Sequence, residues 1–163
     1  MAVRRPKNGF VLIVTCVALT ILLAFAALGI DIARMYVIQS ELQAFTDAAA
    51  LSAAMQLEGG AERIGRARKA AEQLAMGPHA MRWDLGTKAI SEIAESFAAG
   101  SDAPDPKTWA ADPKDAGGCR FVRVTASAPA PLVFLRIFQP RDVSTVAASS
   151  VAMKTSGAAR LME

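Results

Sequence analysis

Histidine occurs once in the chain, as His79 beside Pro78, so no Ser/His/Asp or Cys/His relay and no multi-histidine metal site can be assembled. The nearest approach to a cation site is Asp102, Asp105, Asp112 and Asp115. Their spacing is not that of an EF-hand loop and prolines interrupt it, so they read as a solvated acidic loop. Cys16 and Cys119 lie in segments of opposite character, an apolar run and a polar C-terminal part, and cannot pair within one chain. Cys119 reads as a lone semi-buried thiol, with an intermolecular bridge as the alternative. Arg63, Arg66, Arg68 and Lys69 form a basic cluster flanked by Glu62 and Glu72, a solvated helix face rather than a polyanion site. The glycines are scattered, and no phosphate-cradling loop follows a strand. The expectation is a chain with no catalytic, cofactor-binding or metal-ligating residues, hence not an enzyme, and with no nucleic-acid partner.

The sequence is informative instead about placement. The mean hydropathy of +0.29 is concentrated in FVLIVTCVALTILLAFAALGI, Phe10 to Ile30, which carries no charge. At about 1.5 Å per residue this run covers roughly 30 Å, the thickness of a bilayer's hydrocarbon core. Thr15 and Thr20 can bond back to helix carbonyls and need no partner in lipid. The net charge of +3 is that of Arg4, Arg5 and Lys7, since the other basic residues balance the acidic ones. A basic N-terminal flank stays cytoplasmic, so the expected topology is single-pass, N-terminus in and C-terminal part exported. Ala24-Phe25-Ala26 resembles a signal-peptidase site. The apolar run continues past it to Ile30, which favours an uncut anchor.

No proline occurs between Pro6 and Pro78, so the helix that begins at Phe10 is expected to continue to about Leu57, with Gly59-Gly60 as its stop. Beyond the span, Met35, Ile38, Leu42, Phe45 and Ala49 step by three and four and make one apolar stripe, ending among small alanines. Arg34, Gln39, Glu41 and Asp47 are expected on the opposite face. Asp31 and Arg34 read as the point where water begins. A second helix is expected from Ala61 to Met76, closed by Gly77-Pro78, and a third over Thr87 to Ala99. Residues 100–118 read as an exposed loop. FVRVTASA alternates as a strand, VSTVAASSVAM is a second, and the two should pair antiparallel. LVFLRIF between them, after Pro131, suits a short helix, with a strand as the alternative. The expected fold class is therefore α+β, with one long transmembrane and amphipathic helix packed on a small antiparallel sheet. Its divisions are a basic flank 1–9, a span 10–30, an amphipathic continuation 31–58 and an exported domain 59–163.

Two groups of residues resemble a known family. Gly29-Ile-Asp31-Ile-Ala33-Arg34-Met-Tyr36, continuing through Leu42-Gln43 and Asp47-Ala48-Ala49-Ala50-Leu51, is similar to the N-terminal region of TadG-like and TadE-like proteins, pilin-like components of the Tad (Flp pilus) systems of bacteria. The C-terminal Val-x-Val strand, Phe-containing apolar stretch and Val-Ser-x-Val-x-Ala-x-x-Val-Ala run are also similar, so the resemblance covers about half the chain, at its two ends. It implies Gly29, Asp31, Arg34, Tyr36, Gln43 and Asp47 as motif residues and a pilin-like fold. It also implies a single-pass protein of the bacterial inner membrane that helps to build or anchor a pilus, without catalysis.

Lys7-Asn8-Gly9-Phe10 resembles a prepilin junction, cut between Gly9 and Phe10. Processed pilins usually carry Glu at the fifth mature position, where this chain has Val14; an uncut anchor is therefore the favoured reading and cleavage the alternative. The expected function is a minor pseudopilin or assembly factor, with the bilayer and other pilin-like or Tad proteins as partners, and self-association through the N-terminal helix. Two alternatives stand: a structural subunit of an extracellular filament with helices as its core, and a membrane-tethered cell-surface binding module that uses residues 100–118.

Overall fold

The computed structural model describes residues 8–58, 62–76, 90, 92–100, 104–137, 143–155 and 158–161. One helix, α1, runs without a break over Asn8–Met55, roughly 72 Å at 1.5 Å per residue. Its composition explains its length: no residue in it is proline, and alanine, leucine and other good helix formers dominate the half beyond Ile30. Thr15 Oγ1 donates to the Val11 carbonyl at 2.8 Å and Thr20 Oγ1 to the Cys16 carbonyl at 2.9 Å, so the hydroxyls of the apolar half are satisfied within the helix. This is the one helix among the described residues that is long and apolar enough to cross a membrane, and its most apolar stretch is uncovered by the rest of the chain.

The other half of α1 is covered along one face. Strands β1 (Glu92–Ala99), β2 (Cys119–Pro131), β3 (Val143–Thr155) and β4 (Ala158–Leu161) form one antiparallel sheet in the order β1-β2-β3-β4. The register centres on Phe97↔Val122 and Val124↔Ser150, with a bulge between Ala98 and Ala99. Alternate residues of β2 (Val122, Val124, Ala126, Ala128, Ala130) and of β3 (Val146, Ala148, Ala152) turn inward. They meet Ile38, Leu42, Phe45 and Ala49 of α1 in a single core, with Met35 packed at its margin. Ala49, Ala50, Ala53 and Ala54 are fully buried, as are Ala67 and Ala71 of helix α2 (Arg63–Met76), which packs on α1. Small side chains at these positions bring the backbones together, so the core is narrow and close-packed rather than filled by large residues.

The α+β class and the pairing of the last two long strands agree with the sequence reading; other elements differ from it. Residues expected as a helix over Thr87 to Ala99 contain β1 instead. Ile93 and Phe97, four apart, suit either period, and the unsatisfied edge of β2 decides between them: ladder hydrogen bonds outweigh the helix propensity of glutamate and alanine. Gly100, at φ 139°, ends that strand in a conformation that only glycine adopts readily. β4 was not expected. Pro129 and Pro131 fall inside β2, where the sequence places a break; β1 ends opposite Ser127, so from there β2 is a free edge that loses no ladder bond to a proline. The stretch expected as a short helix contracts to one 3-10 turn, Leu135–Ile137. Helix α2 was expected to begin at Ala61 and starts at Arg63; Gly77-Pro78 and His79 lie outside the described residues.

The basic cluster is not simply a solvated face. Arg68 Nη2 bonds the Asp112 carboxylate at 2.9 Å and the Ala111 carbonyl at 3.0 Å, and Arg63 reaches the Gly117 carbonyl at 2.9 Å. These contacts, with the Phe97–Ala110 bridge, clip the 104–118 loop to the domain. Asp105 and Asp115 act as turn residues, accepting from the backbone N–H groups of Lys107 and of Gly117. Arg123 stacks on Trp109, 4.1 Å from the ring centroid.

Two predictions follow from this packing. Ala53→Leu, which forces a branched side chain between closely spaced backbones, should destabilise the domain by about 1–3 kcal/mol or more, read as a lower midpoint of thermal unfolding in detergent. Glu95, whose side chain is 8% exposed, lies 3.9 Å from Arg68; burial first, then the charge of Glu72, pushes its pKa above the ordinary value. A raised carboxyl pKa means the folded state holds the proton more tightly, so this group's contribution to stability falls as pH rises through the window above 4.5. Glu95→Gln should therefore stabilise the domain at pH 7. The gain over the parent should vanish at acid pH, as thermal melts across pH will show.

Candidate functional site

The residues of the N-terminal motif converge on the junction between α1 and the sheet, at two levels of the helix. At the lower level stands Asp31, immediately after the apolar run. A carboxylate there would be expected to face water, but Asp31 is 1% exposed. Its Oδ1 accepts from the Val133 amide at 3.2 Å, and its Oδ2 from the amides of Phe134 at 2.8 Å and Leu135 at 2.6 Å. These N–H groups belong to the turn in which the chain leaves β2 and enters its 3-10 turn, where no ladder or helix partner exists for them. Three charge-assisted bonds to one carboxylate fix that turn against α1. Asp31 is thus a fastener of the β2–β3 connection and not a marker of where water begins.

At the upper level, Gln43, Thr46 and Asp47 meet Ser150 of β3. Ser150 Oγ donates to Asp47 Oδ1 and accepts from Gln43 Nε2 at 2.9 Å, while the Thr46 hydroxyl lies 2.7 Å from it. Gln43 Nε2 also reaches Asp47 Oδ1 at 3.0 Å. Thr46 is fully buried and Ser150 nearly so; each hydroxyl has partners, which is what allows polar atoms in this core. Asp47, expected on the solvent face, is turned to β3 by this network. One further tie closes the far end of the rod: Lys154 of β3 pairs with Glu58, and that hydrogen bond, more than the charge itself, holds the Glu58 pKa below its ordinary value. Along its C-terminal half and just beyond its end, α1 is therefore pinned to β3 or its approach at three heights.

The remaining candidate residues take no part in these polar fastenings. Met35, Ile38, Leu42, Phe45 and Ala49 are spent inside the chain, against its own sheet. Tyr36, by contrast, is 72% exposed, and with Gln39, Ser40 and Ala44 it borders an open trough along α1. Gly29 has open space around the position a Cβ would take, as does Gly9 at the start of α1. Arg34 is half-buried, and Phe10 is exposed. The Cys119 thiol is buried and donates to the Asp115 carbonyl; burial, then the nearby Asp115 charge, pushes its pKa up, which disfavours the reactive thiolate. Among the described residues no cluster of His, Cys, Asp and Glu could hold a metal ion. Sequence reasoning missed Thr46 and Ser150 altogether, because nothing local marks a serine in Ala-Ser-Ser-Val as the partner of a threonine about 100 positions earlier.

Residues 9–56 match the family model described as Flp pilus-assembly TadE/G-like. The matched segment coincides with α1, Asn8–Met55, and includes both polar fastenings on the helix side. No curated protein and no solved structure matches the chain. The match and the uncovered apolar helix support a membrane-anchored protein with a role in pilus assembly.

Removing the Asp31 side chain should expose how much the junction depends on it. Asp31→Ala leaves three amides without their acceptor, and the loss should be roughly 3 kcal/mol. The amides of Val133, Phe134 and Leu135 should then exchange with solvent hydrogen far faster than in the parent, while the centre of β2 keeps its protection. If those amides stay protected, the fastening role assigned to Asp31 is wrong.

Proposed function

We propose that this protein is a non-catalytic, pilin-like component of a Tad/Flp-type pilus-assembly apparatus, acting as a minor pseudopilin or membrane-bound assembly factor. In this reading residues 10–30 cross the bacterial inner membrane, the basic flank 1–9 stays in the cytoplasm and the sheet domain is exported. The observation that carries it is the coincidence of the family match with α1, the element that is both lipid-compatible and fastened to the domain. A helix that is apolar around its whole circumference on one half and packed along one face of the other against the sheet suits a part that holds a folded domain at a set height above a membrane. The partners are other pilin-like or Tad proteins. They would contact the uncovered span or the trough beside Tyr36, since the apolar stripe is already occupied.

The filament-subunit reading draws on one observation: Gly9 and Phe10 stand exposed at the start of α1, in the order of a prepilin junction. Val14 weighs against it, because subunit entry usually relies on a carboxylate at that position.

Deleting the gene from its native cell should abolish or sharply reduce surface pili, and the full-length chain should restore them. In the complemented cell, mass spectrometry should find the chain with Met1 to Phe10 intact in the inner-membrane fraction and absent from sheared filaments. A mature chain that starts at Phe10 and copurifies with filaments would replace the assembly-factor reading with the subunit one. Unchanged piliation after deletion would remove both.

A further inference from the structure

The turn that Asp31 fastens does not sit above the span; it lies beside it. Phe134 and Leu135 line an apolar groove whose other wall is Ile21, Ala24, Phe25 and Leu28 of α1. At about 1.5 Å per residue, Leu28 is roughly 4.5 Å and Phe25 roughly 9 Å from Asp31 toward the N-terminus. If Phe10 to Ile30 fill the hydrocarbon core, Phe134 and Leu135 fall at or inside its boundary.

The chemistry of the turn matches that position. Val133 is 46% and Phe134 37% exposed, unusual values for two consecutive large apolar residues on a connecting turn. The cost of placing backbone in a water-poor layer is the loss of hydrogen-bond partners for its N–H groups, several kcal/mol for each. Here the amides of residues 133–135 already have the Asp31 carboxylate. The polar backbone is satisfied from within, and the side chains left facing outward are apolar. Their surface is continuous with the lipid-facing surface of the span itself.

We infer that the Val133–Leu135 turn is a second membrane foothold, inserted at the boundary between headgroups and acyl chains of the leaflet from which α1 emerges, with lipid acyl chains filling the groove beside Phe25 and Leu28. The inference needs α1 to span a bilayer but does not need the pilus-assembly reading, and it is tested without pili. It gives the sheet domain two points of contact with the membrane, one through the rod and one through the turn, and so a fixed tilt.

The test uses the full chain in vesicles of phosphatidylethanolamine and phosphatidylglycerol, with Trp83→Phe and Trp109→Phe removing the native indoles and Phe134→Trp supplying one reporter. A foothold about 5–10 Å deep predicts blue-shifted emission, stronger quenching by lipids brominated near the headgroup end of their chains than near the methyl end, and little quenching by aqueous iodide. Strong iodide quenching without bromolipid quenching would overturn the proposal by placing the turn in water. Protection from both quenchers would overturn it as well, since the groove would then be covered by protein, such as the span of a second copy. Circular dichroism confirms that the variant is folded; should it not fold, Val133→Trp in the same background carries the same readout.

Discussion

The sheet domain of this protein is organised around the contact between the alanine-faced half of α1 and the inward faces of β2 and β3. A helix leaving a bilayer exchanges one environment that tolerates apolar side chains for another that penalises them. From Met35 onward the apolar stripe is buried, and the chain buries it under its own sheet rather than a partner's. The small residues at positions 49, 50, 53 and 54 then decide how close the sheet approaches. Large side chains such as Phe45 and Phe97 fill the margins that alanine leaves. A core of this kind has little apolar volume per residue, which is why polar ties at Asp31, Ser150 and Lys154 matter: each fixes register between rod and sheet where hydrophobic contact alone would permit sliding.

Much of this was legible from the residues. An uninterrupted apolar run, a stripe at helical spacing and two alternating segments are strong local patterns, and each corresponds to an element of the fold. What was not legible depends on distance along the chain. Whether Glu92 to Ala99 coils or extends is undecidable from its own composition, because the deciding factor is an open edge of β2 more than twenty residues later. Asp31 and Asp47 looked like solvent-facing charges because a carboxylate after an apolar run usually is one. Their acceptor roles exist only once the β2–β3 connection and Ser150 arrive beside them, about 100 positions away. Buried polar networks are the least readable part of such a sequence, since the partner that makes burial tolerable carries no local mark.

The motif residues of the N-terminal segment divide by what they touch. Asp31, Gln43 and Asp47 are engaged within the chain, whereas Gly29 and Tyr36 lie open. The segment that the family model matches thus contains both residues that hold the sheet domain and residues that lie open.

The unbroken course of α1 across the point where Ile30 gives way to Asp31 has a mechanical consequence. No proline hinge separates the two halves, so membrane and domain share one helical phase. Each residue of a helix advances the chain by about 1.5 Å and turns it by about 100°. The azimuth of the sheet around the rod is thus set by the residue count between the lipid-facing half and Asp31. A single inserted residue there would swing the whole domain through more than a quarter-turn. The rod is a torsional coupling as much as a tether: a twist applied to the uncovered apolar half turns the sheet domain with it.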